Sequence, residues 1–285
     1  NYDIIVSYLE GPTARIVSGC TNPNTKLVSW IHIEQHTKEL ASKSFRSYKE
    51  ALDCYSKFDR TVCVSDTVKD DFESIFDTKK PVEVLYNTNE SEKIKKLSDE
   101  KVDDVNFSKD IINIISVAKI VPSKGYDRLM KIHKKLIEKN IKNHIYILGI
   151  GEEKEKYEKY LAENNLTDTF TFLGYRDNPY KYVKKADLYV CSSRREGFST
   201  AVTEALIVGT PVVSTNCSGA YELLGKNNEY GIVTENNEDA LYEGIKKILT
   251  TPDLLEAYAA KAKERGKAFS TEKTVKAVEE MLSAL

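Results

Sequence analysis

The chain has 285 residues, 41% of them hydrophobic, enough for one large domain or two ordinary ones with a real core. Its 42 Lys and Arg nearly cancel 44 Asp and Glu, leaving a net charge of −2. That balance excludes the basic excess of a nucleic-acid binder, so no nucleic-acid partner is expected, and no apolar run reaches the roughly 18 residues of a spanning helix.

Taken in chain order, short apolar and β-branched runs predict strands at 3–7, 27–31, 61–64, 82–85, 111–117, 144–148, 169–173, 188–191, 211–213 and 231–233. Helical patterns lie between them, at 38–55, 124–139, 152–164 and 200–208, and fill the chain from about residue 240. Strand–helix alternation argues for parallel α/β sheets, and the almost wholly apolar run 111–117 fits a sheet covered on both faces. A polar stretch at 91–109, rich in Lys, Asp and Ser and without strong period, marks a boundary. It divides a partial N-terminal Rossmann-like domain, 1–107, from a complete doubly wound one, 108–285, that ends in helices. The chain begins at Asn1 and runs straight into a strand, so an upstream segment is expected. No signal peptide is expected from the residues read.

Cysteines number five, an odd count with no C-x-x-C spacing, and read as reduced, mostly buried thiols of a cytosolic protein. His32 and His36 are four apart, but Ile33 stands where a zincin motif needs Glu, so no metal site is expected.

In open parallel sheets, ligands bind beyond the carboxyl ends of the strands, which directs attention to four loops. After 111–117 comes Ala118-Lys119-Ile120-Val121-Pro122-Ser123-Lys124-Gly125. Two ammonium groups there can neutralise a diphosphate beside a helix N-terminus, although an exposed first-turn Lys124 explains the same residues. After 144–148, Gly149-Ile150-Gly151 is a turn with close backbone approach and weak evidence of a nucleotide site on its own. After 188–191, Ser192-Ser193-Arg194-Arg195-Glu196-Gly197-Phe198-Ser199-Thr200 opens the helix at 200–208. Ser199 or Thr200 caps that helix, Glu204 lies in its second turn, and the loop amides with the helix dipole attract phosphate. An acid before the glycine and an exposed Phe198 are more than capping requires. A fourth loop, Cys217 to Glu222, opens another helix.

The run Glu196-Gly197-Phe198-Ser199-Thr200-Ala201-Val202-Thr203-Glu204 resembles the E-x7-E signature of retaining glycosyltransferases of family 4, whose GT-B fold faces two Rossmann-like domains. Lys124-Gly125, Gly149-x-Gly151, Phe172-Leu173-Gly174-Tyr175, Gly209-Thr210-Pro211 and Gly219-Ala220-Tyr221-Glu222 fall at that family's spacing. The resemblance is strong over 111–285 and weaker over 3–88. It implies that Glu196 contacts the donor sugar near the reacting carbon and that Glu204 holds the ribose hydroxyls. The amides of Phe198, Ser199 and Thr200, with Gly149 and Gly197, would line the diphosphate, and Lys124 would be its lysine. Lys119 stands where the family has Arg in a Gly-Arg pair, so charge is kept and bidentate geometry lost. His32, closing Trp30-Ile31-His32, resembles the acceptor-side histidine, against the alternative of a hydrogen-bonded structural His. The strand and Gly-rich loop that open the family's N-terminal domain are lacking here.

The implied reaction transfers a sugar from a nucleotide-diphosphate donor, taken as a UDP-sugar, to a glycan or lipid-linked acceptor, without metal or cofactor. The implied setting is cytoplasmic, with peripheral contact at the inner membrane face left open, since helix 38–55 carries acids among its lysines and reads as an ordinary solvated helix. The alternatives are a sugar-nucleotide epimerase of the same architecture and a non-catalytic sugar-nucleotide-binding fragment.

Overall fold

Runs of isoleucine and valine go to the middle of parallel sheets, and here they form two of them. The computed structural model describes residues 2–285. Its contacts define two compact units. The first runs to Thr88 and includes Glu196–Phe198 and Glu272–Leu285; the second comprises Asn89–Arg195 and Ser199–Thr271.

The first unit holds β1 (Ile4–Ser7), α1 (Pro12–Val17), β2 (Lys26–Ile31), α2 (Lys38–Ala41), α3 (Tyr48–Tyr55), β3 (Arg60–Cys63), α4 (Asp66–Ile75) and β4 (Val82–Val84). Its four strands are parallel in the order β1-β2-β3-β4. The second unit holds α5 (Ser91–Ser98), β5 (Ile112–Val117), α6 (Tyr126–Glu138), β6 (Asn143–Leu148), α7 (Lys154–Glu163), β7 (Phe170–Gly174), α8 (Tyr180–Lys185), β8 (Leu188–Cys191), α9 (Thr200–Val208), β9 (Val212–Thr215), α10 (Ala220–Leu224), β10 (Ile232–Thr234), α11 (Glu238–Thr250) and α12 (Leu254–Gly266). A last helix, α13 (Thr271–Ser283), follows, nearly all of it counted with the first unit. Each predicted strand is present within two residues of its expected bounds.

In the second unit the sheet order is β10-β9-β8-β5-β6-β7, all parallel. The chain builds outward from β5 through β6 and β7, then reverses to lay β8, β9 and β10 on the other side. The switch point therefore lies between β5 and β8, paired in the register Ile114↔Leu188 and Ile115↔Tyr189. Helix α6 covers the sheet with Leu129, Ile132, His133 and Leu136, spaced i, i+3, i+4, i+7 and all buried. Helix α9 is apolar on nearly every face, with Val202, Ala205, Leu206, Ile207 and Val208 buried, as befits a helix inside the fold.

Two expectations are corrected. The helix expected across 38–55 is two helices, because residues 42–47 carry three serines and Ser47 caps α3 by accepting from the Glu50 amide at 3.1 Å. The Glu50 carboxylate accepts from the Arg46 amide, one residue before the cap, where the Ser47-x-x-Glu50 pattern alone would have it bond the Ser47 amide. The polar stretch 91–109 contains α5, which packs in the second unit against α8 and α9 through Ile94 and the small Ser91 and Ser98.

Within α6, His133 is fully buried, with Nδ1 2.8 Å from the Asn143 carboxamide oxygen and Nε2 2.8 Å from the Thr169 hydroxyl. The Asn143 amide nitrogen donates to the Ile141 carbonyl, so its oxygen faces the ring, Nδ1 carries the proton and Nε2 accepts. Burial pushes the His133 pKa down to about 4. The unfolded chain therefore binds a proton between pH 6.5 and 4 that the native state refuses, and this contribution to stability is lost as pH falls through that window. Urea unfolding of the wild type and His133→Gln at pH 7 and pH 4 should show their stability difference shrink by about 3 kcal/mol. A gap independent of pH would show that the ring titrates normally.

Candidate active site

The loops after β5 and β8 leave the sheet at the switch point and are tied into one body. Pro122–Lys124 form a single 3-10 turn, and Gly125 follows in a left-handed conformation, φ 68°, to start α6. The buried Arg128, one turn into α6, donates Nε to the Ser192 carbonyl at 2.8 Å and Nη2 to the carbonyls of Ser192 and Ser193. Ser192 returns a bond from its hydroxyl to the Lys124 carbonyl at 2.8 Å, and the Arg194 amide donates to the Ser123 carbonyl at 2.7 Å. Arg194 closes the clasp with a bidentate pair to Asp127, both contacts at 2.7 Å. Those hydrogen bonds hold the Asp127 carboxyl below its ordinary pKa, while burial lowers that of Arg128.

Gly149 and Gly151 face the same loop. A Cβ on Gly149 would lie 1.9 Å from the Ala118 carbonyl oxygen, and one on Gly151 2.2 Å from that of Ile120. The turn after β6 thus supports the backbone that carries Lys119, and the Ile120 amide bonds the Ile150 carbonyl at 2.9 Å. Lys119 is exposed and Lys124 half-buried.

Helix α9 begins as expected. Ser199 is its cap, its hydroxyl accepting from the Val202 amide, and Thr200 is the first helical residue. Glu204, one turn beyond Thr200, lies on the same helix face. It is half-buried and accepts from the Tyr180 hydroxyl of α8 at 3.3 Å. Burial pushes the carboxyl up to about 7, against the opposing pull of the Tyr180 hydrogen bond. The Tyr180 phenol is itself pushed up to about 12, by burial first and the neighbouring carboxyl second.

The remaining candidates belong to the first unit. His32 follows β2 directly. Its amide donates to Glu10 Oε2 at 2.9 Å and its Nδ1 stands 4.0 Å from the same oxygen. Burial lowers the His32 pKa, opposed by Glu10, so the ring is neutral at pH 7. Glu196 is half-buried, and Gly197 sits so close to the His32 carbonyl oxygen that a Cβ would come within 2.2 Å. Phe198 is not exposed as expected. It is 7% exposed and stacks on Tyr86, ring centroids 5.1 Å apart at 17°, because an aromatic ring of that size finds an apolar partner. Among the described residues, no three His, Cys, Asp or Glu side chains gather as a metal site, and no helix is long and apolar enough to cross a membrane.

The residues that sequence reasoning missed are Arg128, Asp127 and Tyr180. Their partners lie 64, 67 and 24 residues away, and no periodicity reports such pairs. Arg128→Met should cost about 2 kcal/mol in urea unfolding, since the Ser192 carbonyl loses a charge-assisted partner while that of Ser193 keeps Thr215. An unchanged unfolding midpoint would show that water replaces the guanidinium.

Comparison with known proteins identifies the family and the fold. The family model for glycosyl transferases group 1 matches residues 98–265. The chain is 30% identical over 273 residues to the N-acetylgalactosamine-N,N'-diacetylbacillosaminyl-diphospho-undecaprenol 4-alpha-N-acetylgalactosaminyltransferase of Campylobacter jejuni, covering 94% of this chain and 70% of that protein. It is likewise 30% identical to an uncharacterised glycosyltransferase of Methanocaldococcus jannaschii, over 89% of this chain and 70% of that one. Among solved structures, it superposes on HepE of Anabaena, in complex with UDP, with TM-score 0.82 at 17% identity over 100% of this chain and 79% of HepE. Sucrose-phosphate synthase of Thermosynechococcus elongatus gives TM-score 0.80 at 17% identity over 99% and 73%. These likenesses fix the GT-B fold.

Proposed function

The chain belongs to the group 1 glycosyl transferases, and from that premise we propose that it is a retaining enzyme of family 4 that uses a UDP-sugar. The C-terminal part binds the donor and the N-terminal part the acceptor, a glycan or lipid-linked glycan. The observation that carries this reading is the clasped pair of loops at the β5/β8 switch point, which leads into a capped helix bearing a half-buried carboxyl one turn in. The UDP bound by HepE and the diphospho-undecaprenol acceptor named for the Campylobacter relative support the choice of substrates. The setting proposed is cytoplasmic, with peripheral contact at the inner membrane face where a lipid-linked acceptor is presented.

In this reading the α9 N-terminus and the amides of Phe198, Ser199 and Thr200, with Gly149 and Gly197 giving close approach, hold the diphosphate. Departure of the nucleotide builds negative charge on its β-phosphate. Lys119, Lys124 and those fixed amides stabilise that charge in place, where a prearranged dipole has nothing to reorganise. Glu204 accepts from the ribose hydroxyls. Glu196 lies against the donor sugar near the reacting carbon, and His32, neutral at pH 7, serves the acceptor side. The acceptor hydroxyl attacks from the face the nucleotide leaves, so Glu196 positions the sugar and is not a nucleophile.

The test is transfer or hydrolysis of a radiolabelled UDP-sugar, with UDP and GDP titrated by calorimetry. Glu196→Gln should lower turnover by about 100- to 1000-fold while UDP affinity holds. If neither nucleotide binds at millimolar concentration, or if the variant turns over normally, the reading fails.

A further inference from the structure

Past the carboxyl ends of β1 and β2 lies a group of side chains that the donor chemistry leaves unused. The two strands pair in the register Ser7↔Ser29, so Tyr8, the first residue beyond β1, reaches Trp30 and His32. Its ring centroid is 5.4 Å from Trp30 and 4.9 Å from His32, edge-on to the latter. Tyr8 is 56% exposed, and next to it Leu9 and Ile33 are exposed too. Trp30 beneath it is only 5% exposed, yet its indole Nε1–H is buried with no hydrogen-bond partner. The Nδ1 of His32 is buried and unpartnered as well. Each buried polar atom without a partner costs about 1 to 3 kcal/mol, and the fold keeps two of them under one exposed ring.

We infer that Tyr8, Trp30 and His32 form a subsite for one ring of a neutral sugar acceptor, Tyr8 being both its cover and its stacking face. This rests on the acceptor-side reading of the first unit and adds a ligand class to it. A sugar hydroxyl is the group that suits both orphaned atoms. Its oxygen accepts from Trp30 Nε1–H, and, being donor and acceptor at once, it serves Nδ1 of His32 in either tautomer, where a carboxylate can only accept. When the Tyr8 phenol turns aside, its ring offers an apolar face to the C–H side of a pyranose. Glu10 sets the charge preference. Its carboxylate, held by the His32 amide at 2.9 Å, stands 4.0 Å from Nδ1 and repels an anionic ring. The subsite therefore takes a hexose or N-acetylhexosamine in preference to a uronic acid or a phosphate.

Trp30 is the sole tryptophan of the chain, so indole fluorescence reports on this place alone. The experiment titrates the protein with methyl α-D-glucopyranoside and methyl N-acetyl-α-D-galactosaminide, with methyl α-D-glucuronide as the anionic control. Either neutral glycoside should give a saturable change in the millimolar range, and the glucuronide none. Tyr8→Ala, at an exposed position, should weaken binding about 5- to 10-fold through loss of the stacking face. Trp30→Phe, which keeps a ring but removes the donor, should weaken it about 10-fold as read by saturation-transfer NMR. A silent Trp30 up to roughly 100 mM glycoside, an equal response to the glucuronide, or an unchanged or tighter affinity in Tyr8→Ala overturns the inference. Calorimetry with UDP keeps the two readings apart. UDP binding with a silent Trp30 removes the sugar subsite alone, and a saturable Trp30 response without UDP binding removes the donor assignment alone.

Discussion

Gly125→Ala will lower the unfolding free energy by about 3 to 5 kcal/mol. Two effects add. The residue sits at φ 68°, a conformation that costs an alanine about 1 to 2 kcal/mol. The new Cβ would also lie 2.1 Å from the Ser192 carbonyl oxygen and 2.8 Å from Arg128 Nε. That carbonyl is held by the guanidinium, so it cannot retreat without losing a charge-assisted bond. Gly174 provides the matched control. Its φ is 72°, but the nearest atom to a Cβ there is the flexible Arg176 Nη1 at 3.9 Å. Gly174→Ala should therefore cost only the backbone share, about 1 to 2 kcal/mol. Equal losses in urea unfolding for the two variants would refute a steric role for the Ser192 contact.

Glu204→Gln should move stability and ligand binding in opposite directions. The carboxyl pKa is pushed up to about 7 by burial, from an ordinary 4.5, so between those values the native state holds a proton that the unfolded chain has released. Stability of the wild type therefore falls as pH rises through this window, by about 3 kcal/mol in total. The amide has no charge to bury, so the variant should gain that much relative to the wild type between pH 4.5 and pH 8. Nucleotide binding should change the other way. Two ribose hydroxyls need acceptors, and a carboxylate supplies them where a carboxamide supplies one oxygen. Loss of a hydrogen bond to a charged group corresponds to a UDP affinity lower by about 10- to 100-fold at pH 8. Wild-type affinity should rise with pH toward a plateau above 7, with proton release on binding, and that of the variant should stay flat. If UDP affinity is the same in both proteins at pH 8, Glu204 does not hold the ribose.

The strands were legible because each is a run of β-branched and apolar residues bounded by turns, as in Ile112–Val117 and Leu188–Cys191. The loops that carry the proposed site followed from them, since the ends of parallel strands are where ligands go. What stayed hidden depends on partners distant in sequence. Nothing near Arg128 marks it as the support of Ser192, and nothing near Glu204 announces Tyr180 or the burial that lifts its pKa. Helix α5 was hidden for another reason, as it presents Ile94 and two serines to its neighbours and lacks a full apolar stripe. Phe198 was misread because a glycine-flanked aromatic in a loop looks solvent-facing until Tyr86 is placed beside it.

The clasp between the β5 and β8 loops has a bearing on how such enzymes are re-engineered. Residues 192–199 look like a portable cassette, bounded by a strand on one side and a capped helix on the other. The carbonyls of Ser192 and Ser193, however, are terminated by a guanidinium from α6, and Arg194 is neutralised by a carboxylate from the same helix. The transferable module is therefore discontinuous. A graft meant to carry donor specificity between scaffolds has to bring Gly125, Asp127 and Arg128 with it, or the transplanted turn arrives without the framework that shapes it.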